Sequence, residues 1–432
     1  MMQSLHDNDI NINRSGNLKS SSRSNYQKDF NDSTIDGIDT SPDQRKAPES
    51  HGVPLTPLQS GATLINLVLA TGPFAYPNSF VKFSPLIASI LMGLIMVLAY
   101  MTAGFMVEVL SISCAMRYDP DQEERSIYPS LPDESPEIKR KRDERDLSVK
   151  NNPYYIREKI ELSRMSDDHL HLAVKYFMFA IIACYMYGAM IFKYVSGAQS
   201  LSEGISFTFT KDRDRFDNDF HFYYICIFVF AAISIVFSLG NIENSKTLQV
   251  VTMYLRFITT FLMIFGSLLS IFKHGIKMEF SDLKPDFSHA SNLFANTLFI
   301  FVAHHSIAGI VKPVRPQKAV YDTLFYSFSI GASILIIEAN LAAMAFTRVT
   351  NSECADFPCE IQPLYNENFT AVPVIGQICN FYPALNVAAV PILTITLRNN
   401  LFVMLGMTTT SETRIKKALW SLGLSIPVVI VA

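Results

Sequence analysis

The chain has 432 residues, 49% of them hydrophobic and 17% charged, and a net charge of -3. That charge is too small to point to a nucleic acid or other polyanion as partner. Most of it sits in residues 1–56 and 116–168, and the remainder reads as apolar blocks of about 20 residues, the length that crosses a bilayer core. The pattern excludes an ordinary soluble protein and predicts an integral, multi-pass membrane protein embedded in a lipid bilayer.

In chain order, residues 1–56 are rich in Asn, Asp, Ser and Lys, without apolar periodicity or the short apolar core of a signal peptide. They are expected to be a disordered tail. Apolar blocks follow near 60–81, 85–114, 170–200, 221–240, 247–272, 290–311, 322–347, 377–397 and 416–432. They give nine candidate spans, the last unfinished at Ala432. Within lipid every backbone group must be satisfied inside the segment, and blocks this long without period-two alternation favour helices over a barrel. The fold class expected is all-α, with a transmembrane domain at 57–432.

With the tail placed in the cytosol, 25 of the 36 Lys and Arg fall on the cytosolic side and 8 on the other, with Lys175, Lys193 and Arg256 inside spans. The asymmetry supports a cytosolic amino terminus. The loop at 116–168 is then cytosolic, and the tail and this loop become candidate docking segments for cytosolic proteins. The loop at 348–376 is lumenal or extracellular. It carries the sequon Asn368-Phe369-Thr370, a candidate glycosylation site, and Cys354 and Cys359, a candidate disulfide. A chance sequon and unpaired thiols are the alternative.

The first block reads INLVLATGPFAYPNSF from Ile65 to Phe80. Proline in a helix interior removes a donor amide and clashes with the preceding turn, so Thr71-Gly72-Pro73 predicts an interrupted helix. Backbone bared at membrane depth survives only where it lines a protein-enclosed cavity. Transporters use such breaks, the half-helix amino end favouring a carboxylate and the unwound carbonyls a cation. The sixth block offers a second break, LFANTLFIFVAHHSIAGIVKPVRP, with His304, His305 and Ser306 in its interior. First and sixth positions correspond in a five-plus-five inverted repeat. The predicted solute site therefore comprises Asn66, Thr71, Gly72, Pro73, His305 and Ser306; kinked helices with packing glycines are the alternative.

Ionisable residues inside spans are functional candidates because an unpaired charge is costly there. Glu108 and Arg256 fall towards the cytosolic ends of their spans, and Lys193 and Glu338 lie at comparable depths towards the other side. Two pairs are predicted, Glu108 with Arg256 and Lys193 with Glu338; snorkelling of the two cations to headgroups is the alternative. His304 and His305 point about 100° apart on a helix, so at most one faces a cavity well. They are candidates for a proton relay, a ligand-binding pair or packing residues. A membrane metal enzyme is disfavoured, since no other histidine lies in a span interior to complete a ligand set, and neither metal nor cofactor is expected beyond a coupling H+ or Na+.

Asn66, Leu67, Gly72, Pro77 and Phe80 follow the first-helix pattern N-L-x-x-G-x-G-x-x-x-x-P-x-A-F. Through it the chain resembles the amino acid/auxin permease family. VEVLSISCA from Val107, YMYGAMIFKY from Tyr185, TLQVVTMYLRFI from Thr247, DFSHASNLF, HHSIAGIVKPV and ITLRNNL are similar to one branch of it. The likeness runs from about Gly61 to Leu401. It implies a LeuT-like bundle of eleven helices, cut short here inside the ninth, that moves amino acids or related small zwitterions with a coupling ion across the plasma or an endolysosomal membrane. A transport-incompetent sensor or scaffold of the same fold is the second reading. The resemblance favours His305 as the cavity-facing histidine. Two positions depart from the pattern: Ala70 stands for the earlier glycine, and Ala389 for the Ser or Thr of sodium-coupled relatives. Sodium needs oxygen ligands, so proton coupling is favoured, with Thr394 and Thr396 as remaining hydroxyls.

Overall fold

The computed structural model describes residues 56–117, 152–157, 160, 162–210, 220–239, 246–348, 360–370, 372–405 and 414–432. The tail, most of the polar loop at 116–168, and Cys354 and Cys359 lie outside the described residues.

The first apolar block forms two helices, α1 (Pro57–Val68) and α2 (Gly72–Phe83). A capping box starts α1: the Gln59 amide donates to Thr56 Oγ1 at 3.3 Å and the Thr56 amide to Gln59 Oε1 at 3.1 Å, with Pro57 where its missing donor costs nothing. α3 (Pro85–Met116), α4 (Leu162–His169), α5 (Leu172–Thr210), α6 (Phe220–Ser238) and α7 (Lys246–His274) follow. The sixth block is again split, into α8 (Ala290–Phe301) and α9 (His304–Val311). The remaining helices are α10 (Val320–Ala345), α11 (Ile375–Cys379), α12 (Ala389–Met404) and α13 (Arg414–Val431), with a 3-10 turn at Pro383–Ala388 leading into α12.

All nine apolar blocks are helical. Among the described residues six helical stretches are long and apolar enough to cross a membrane: Pro85–Met116, Leu172–Ser206, Val251–His274, Phe287–Val311, Gln317–Ala345 and Ile375–Phe402, with Phe222–Ser238 shorter. The first block misses that measure because its break leaves two helices of 12 residues.

The burial pattern is that of a bundle in lipid. Along α3, Ala88, Ala99 and Ala103 face inward while Leu86, Ile90, Leu94, Leu98 and Phe105 are exposed. Small residues inside let helices approach closely, and large apolar ones outside suit acyl chains. α10 lies against α1, α2, α3 and α7. At its contact with α2 only glycine fits without adjustment, since a Cβ on Gly72 would lie 2.8 Å from Leu335 Cδ1. A second group of buried side chains, including Met190, Tyr194, Phe230, Val390 and Leu424, joins α5, α6, α12 and α13.

Two expectations are corrected here. Asn368 is fully buried; its Nδ2 donates to the Glu360 carbonyl at 2.9 Å, and its Oδ1 accepts from the Gln362 amide at 3.0 Å. The nitrogen that would carry a glycan closes a loop instead, so the sequon is not available in this fold. Arg398, counted above in a loop, sits buried inside α12, where it donates to Ser421 Oγ at 2.9 Å and to the Ser238 carbonyl at 3.4 Å. It thereby satisfies a carbonyl left open at the end of α6.

Candidate functional site

The two helix breaks are built by local backbone chemistry. At the end of α1 the Leu69 amide reaches the Ile65 carbonyl at 2.8 Å, but the Ala70 amide turns to Leu67 at 3.2 Å. That tightening deprives the Asn66 carbonyl of its usual donor four residues on. α2 restarts with the Ala75 amide on the Thr71 carbonyl at 3.2 Å, and Pro73 sits in the first turn where no donor is required. At the second break the Ala303 amide bonds the Phe301 carbonyl at 2.8 Å and the Ser306 amide the Ala303 carbonyl at 2.9 Å. Val302 is left outside both helices, and its carbonyl accepts from the Tyr185 hydroxyl at 3.3 Å.

Between the breaks lies a cavity of about 50 Å³ whose walls include Thr71, Tyr185, Lys193, Phe299, His305 and Ala389. A second cavity of about 190 Å³, bounded by α2, α5 and α8, shares Thr71, Phe299 and Ile300 with the first. Aromatic rings line the approach: Phe192 lies 5.8 Å from Phe299 and 6.1 Å from Phe74, and Tyr185 6.0 Å from Phe299.

The predicted site residues divide. Thr71 and His305 both line the cavity between the breaks. Gly72 and Pro73 are buried at the start of α2, Gly72 against Leu335, and Ser306 Oγ is buried without a partner among the described residues. Asn66 is engaged elsewhere, its Oδ1 accepting from Arg256 at 3.0 Å. His304 packs against α3, its Nε2 2.7 Å from Thr102 Oγ1. His305 faces the Tyr185 ring at 6.1 Å, and its Nδ1 is buried without a partner among the described residues. Thr394 donates to its own helix at the Val390 carbonyl, 3.0 Å away, as membrane threonines commonly do.

The two predicted ion pairs are not formed. Arg256, 2% exposed, gives its guanidinium to carbonyl and amide oxygens: the Asn66 carbonyl at 3.3 Å, Asn66 Oδ1 at 3.0 Å and the Leu385 carbonyl at 3.1 Å. It supplies the donor that the Asn66 carbonyl lost at the first break and also reaches the Leu385 carbonyl in the turn before α12. Glu108 is exposed on α3. Lys193, 6% exposed, has Asn386 Oδ1 at 3.5 Å and the Phe299 ring at 5.9 Å. Glu338 is fully buried in α10, neither carboxyl oxygen has a hydrogen-bond partner among the described residues, and Tyr365, Cys379 and Tyr382 are its electrostatic neighbours. Depth along a span did not fix azimuth, and these cations found oxygen acceptors closer than carboxylates.

Sequence reading missed Tyr185 and Tyr382. Tyr382 donates to the Leu69 carbonyl at 2.5 Å, so each break has a tyrosine hydroxyl on a freed carbonyl. Nothing local in the sequence marks a tyrosine for that duty, because its target lies more than a hundred residues away. Among the described residues no three of His, Cys, Asp and Glu come together as a metal-binding group.

No family model matches the chain. It is similar over most of its length to proteins named transmembrane protein 104, the branch to which its motifs pointed. The Dictyostelium discoideum homolog is 25% identical over 383 residues, covering 79% of this chain and 74% of that protein. The human protein is 24% identical over 372 residues, covering 78% and 72%. The Drosophila melanogaster homolog is 21% identical over 379 residues, covering 78% and 74%. Among solved structures, MhsT in complex with L-phenylalanine matches with a TM-score of 0.47 and 12% identity, covering 85% of this chain and 78% of that one. The chain is an integral, multi-pass membrane protein of helical architecture with two discontinuous helices.

Proposed function

We propose that the chain is a secondary-active transporter of amino acids or related small zwitterions, belonging with the amino acid/auxin permeases, and not an enzyme. One observation carries the reading: a cavity lies between two helix interruptions and presents Thr71, Lys193 and His305 to whatever fills it. Freed backbone groups at membrane depth bind small solutes and ions in transporters of this kind. With Ala389 in the cavity wall and Thr394 turned onto its own backbone, few side-chain oxygens remain there for sodium. Coupling to protons follows, with the amino terminus in the cytosol.

The test is uptake of radiolabelled amino acids into liposomes holding the purified full chain, with sodium and pH gradients imposed separately. Uptake driven by an inward proton gradient and indifferent to sodium is the expected result. Saturable binding with no flux would replace the transporter by a sensor of the same fold.

A further inference from the structure

The cavity between the breaks is electrostatically one-sided. Of its lining side chains, Lys193 and His305 are basic, Tyr185 is a phenol, and none is a carboxylate. Lys193 has three donors on its ammonium. Its hydrogen-bond partner is Asn386 Oδ1 at 3.5 Å, a long contact to a neutral acceptor. The Phe299 ring beside it offers a quadrupole and no lone pair. His305 adds Nδ1, buried and without a partner in the same wall. A buried ammonium without a carboxylate is costly, and Glu338, the buried carboxyl expected from its depth to pair with it, is not in the cavity wall.

We infer that Lys193 holds the carboxylate of the solute, with His305 as a second donor, in the cavity between the two breaks. This rests on the reading of that cavity as the solute site and narrows its occupant. The ligand class is a small monocarboxylate, with or without an α-amino group. An amine alone would meet Lys193 as a like charge and find only neutral acceptors, carbonyls, the Thr71 and Tyr185 hydroxyls and a His305 ring nitrogen. Size agrees: at roughly 10–15 Å³ of such volume per water, about 50 Å³ admits a ligand the size of a few waters, such as alanine or propionate. The donors are side chains at the cavity wall, so the carboxylate sits across from the α2 amino end and does not depend on a bound cation to neutralise it.

The experiment is binding to the purified full chain in detergent micelles, read by titration calorimetry and by the thermal shift of the protein, with L-alanine, propionate and ethylamine as probes. Alanine and propionate are expected to compete for one site, with ethylamine inert. Lys193→Met, which keeps the aliphatic stem, weakens both acids by about tenfold or more, the loss of one charge-assisted bond; Lys193→Arg, which keeps the charge, retains the order of the three probes. Ethylamine binding as tightly as propionate, absence of binding by both acids, or an unchanged propionate affinity in Lys193→Met overturns the assignment. If Lys193→Met does not fold, the order of the three probes on the unaltered chain decides. Binding through Lys193 without uptake would reject transport and leave this site standing. Alanine uptake unchanged in Lys193→Met would leave transport standing and remove the site.

Discussion

Arg256 and Asn66 form the junction on which the first break depends, and a double-mutant cycle measures it. The Asn66 carbonyl has lost its helical donor, because the Ala70 amide is turned to Leu67, and Arg256 replaces that donor while also binding Asn66 Oδ1 at 3.0 Å. Arg256→Met keeps the stem but strands the Asn66 carbonyl, at about 1–3 kcal/mol for a buried acceptor left unmet. Relief from burying a guanidinium offsets part of that cost. Asn66→Leu removes one bond to a charged donor, worth about 1.5–3 kcal/mol. The coupling term between the two substitutions isolates that bond and is expected at about 1.5–3 kcal/mol. Equilibrium unfolding in mixed micelles of rising SDS fraction, followed by pulse proteolysis, gives the four stabilities required. A coupling below about 0.5 kcal/mol, the additivity expected of independent sites, would refute the claim that Arg256 and Asn66 act together.

Two further outcomes follow from the geometry. Gly376→Ala should destabilise by at least about 1–3 kcal/mol, because its Cβ would lie 2.2 Å from the Phe369 carbonyl oxygen and 2.7 Å from that of Thr370, backbone atoms that cannot swing aside; unchanged thermal unfolding of the variant would contradict this. Asp286 lies outside the spans, and its pKa is held below the ordinary carboxylate value by hydrogen bonds from the Ser288 hydroxyl and amide, with a smaller contribution from His289 and Arg348. A depressed folded-state value contributes stability above the unfolded value of about 3.9, and that contribution fades as pH falls through the folded one. Thermal unfolding of Asp286→Asn should therefore lose this acid-range pH dependence, and an identical profile in both proteins would count against the cap.

Both interruptions were legible in the sequence, since Thr71-Gly72-Pro73 and Ala303-His304-His305 carry their helix-breaking or polar chemistry locally. The spans were legible for the same reason: predicted 85–114 and 322–347 fold as Pro85–Met116 and Val320–Ala345. What fills each break was not. Arg256 reaches Asn66 across 190 residues, and Tyr382 reaches Leu69 across 313. Hydropathy gives depth along a helix axis but not the direction in which a side chain leaves it, which is why the two ion pairs failed. Helix geometry allowed at most one of the two histidines to face a cavity and the resemblance pointed to His305; the structure sends His304 to Thr102 and His305 to the cavity wall.

Phe299 is counted in the walls of both cavities, with Phe192 and Tyr185 on either flank. Together with Thr71 and Ile300 it forms a wall common to both chambers, so a substitution at Phe299 reshapes the two at once.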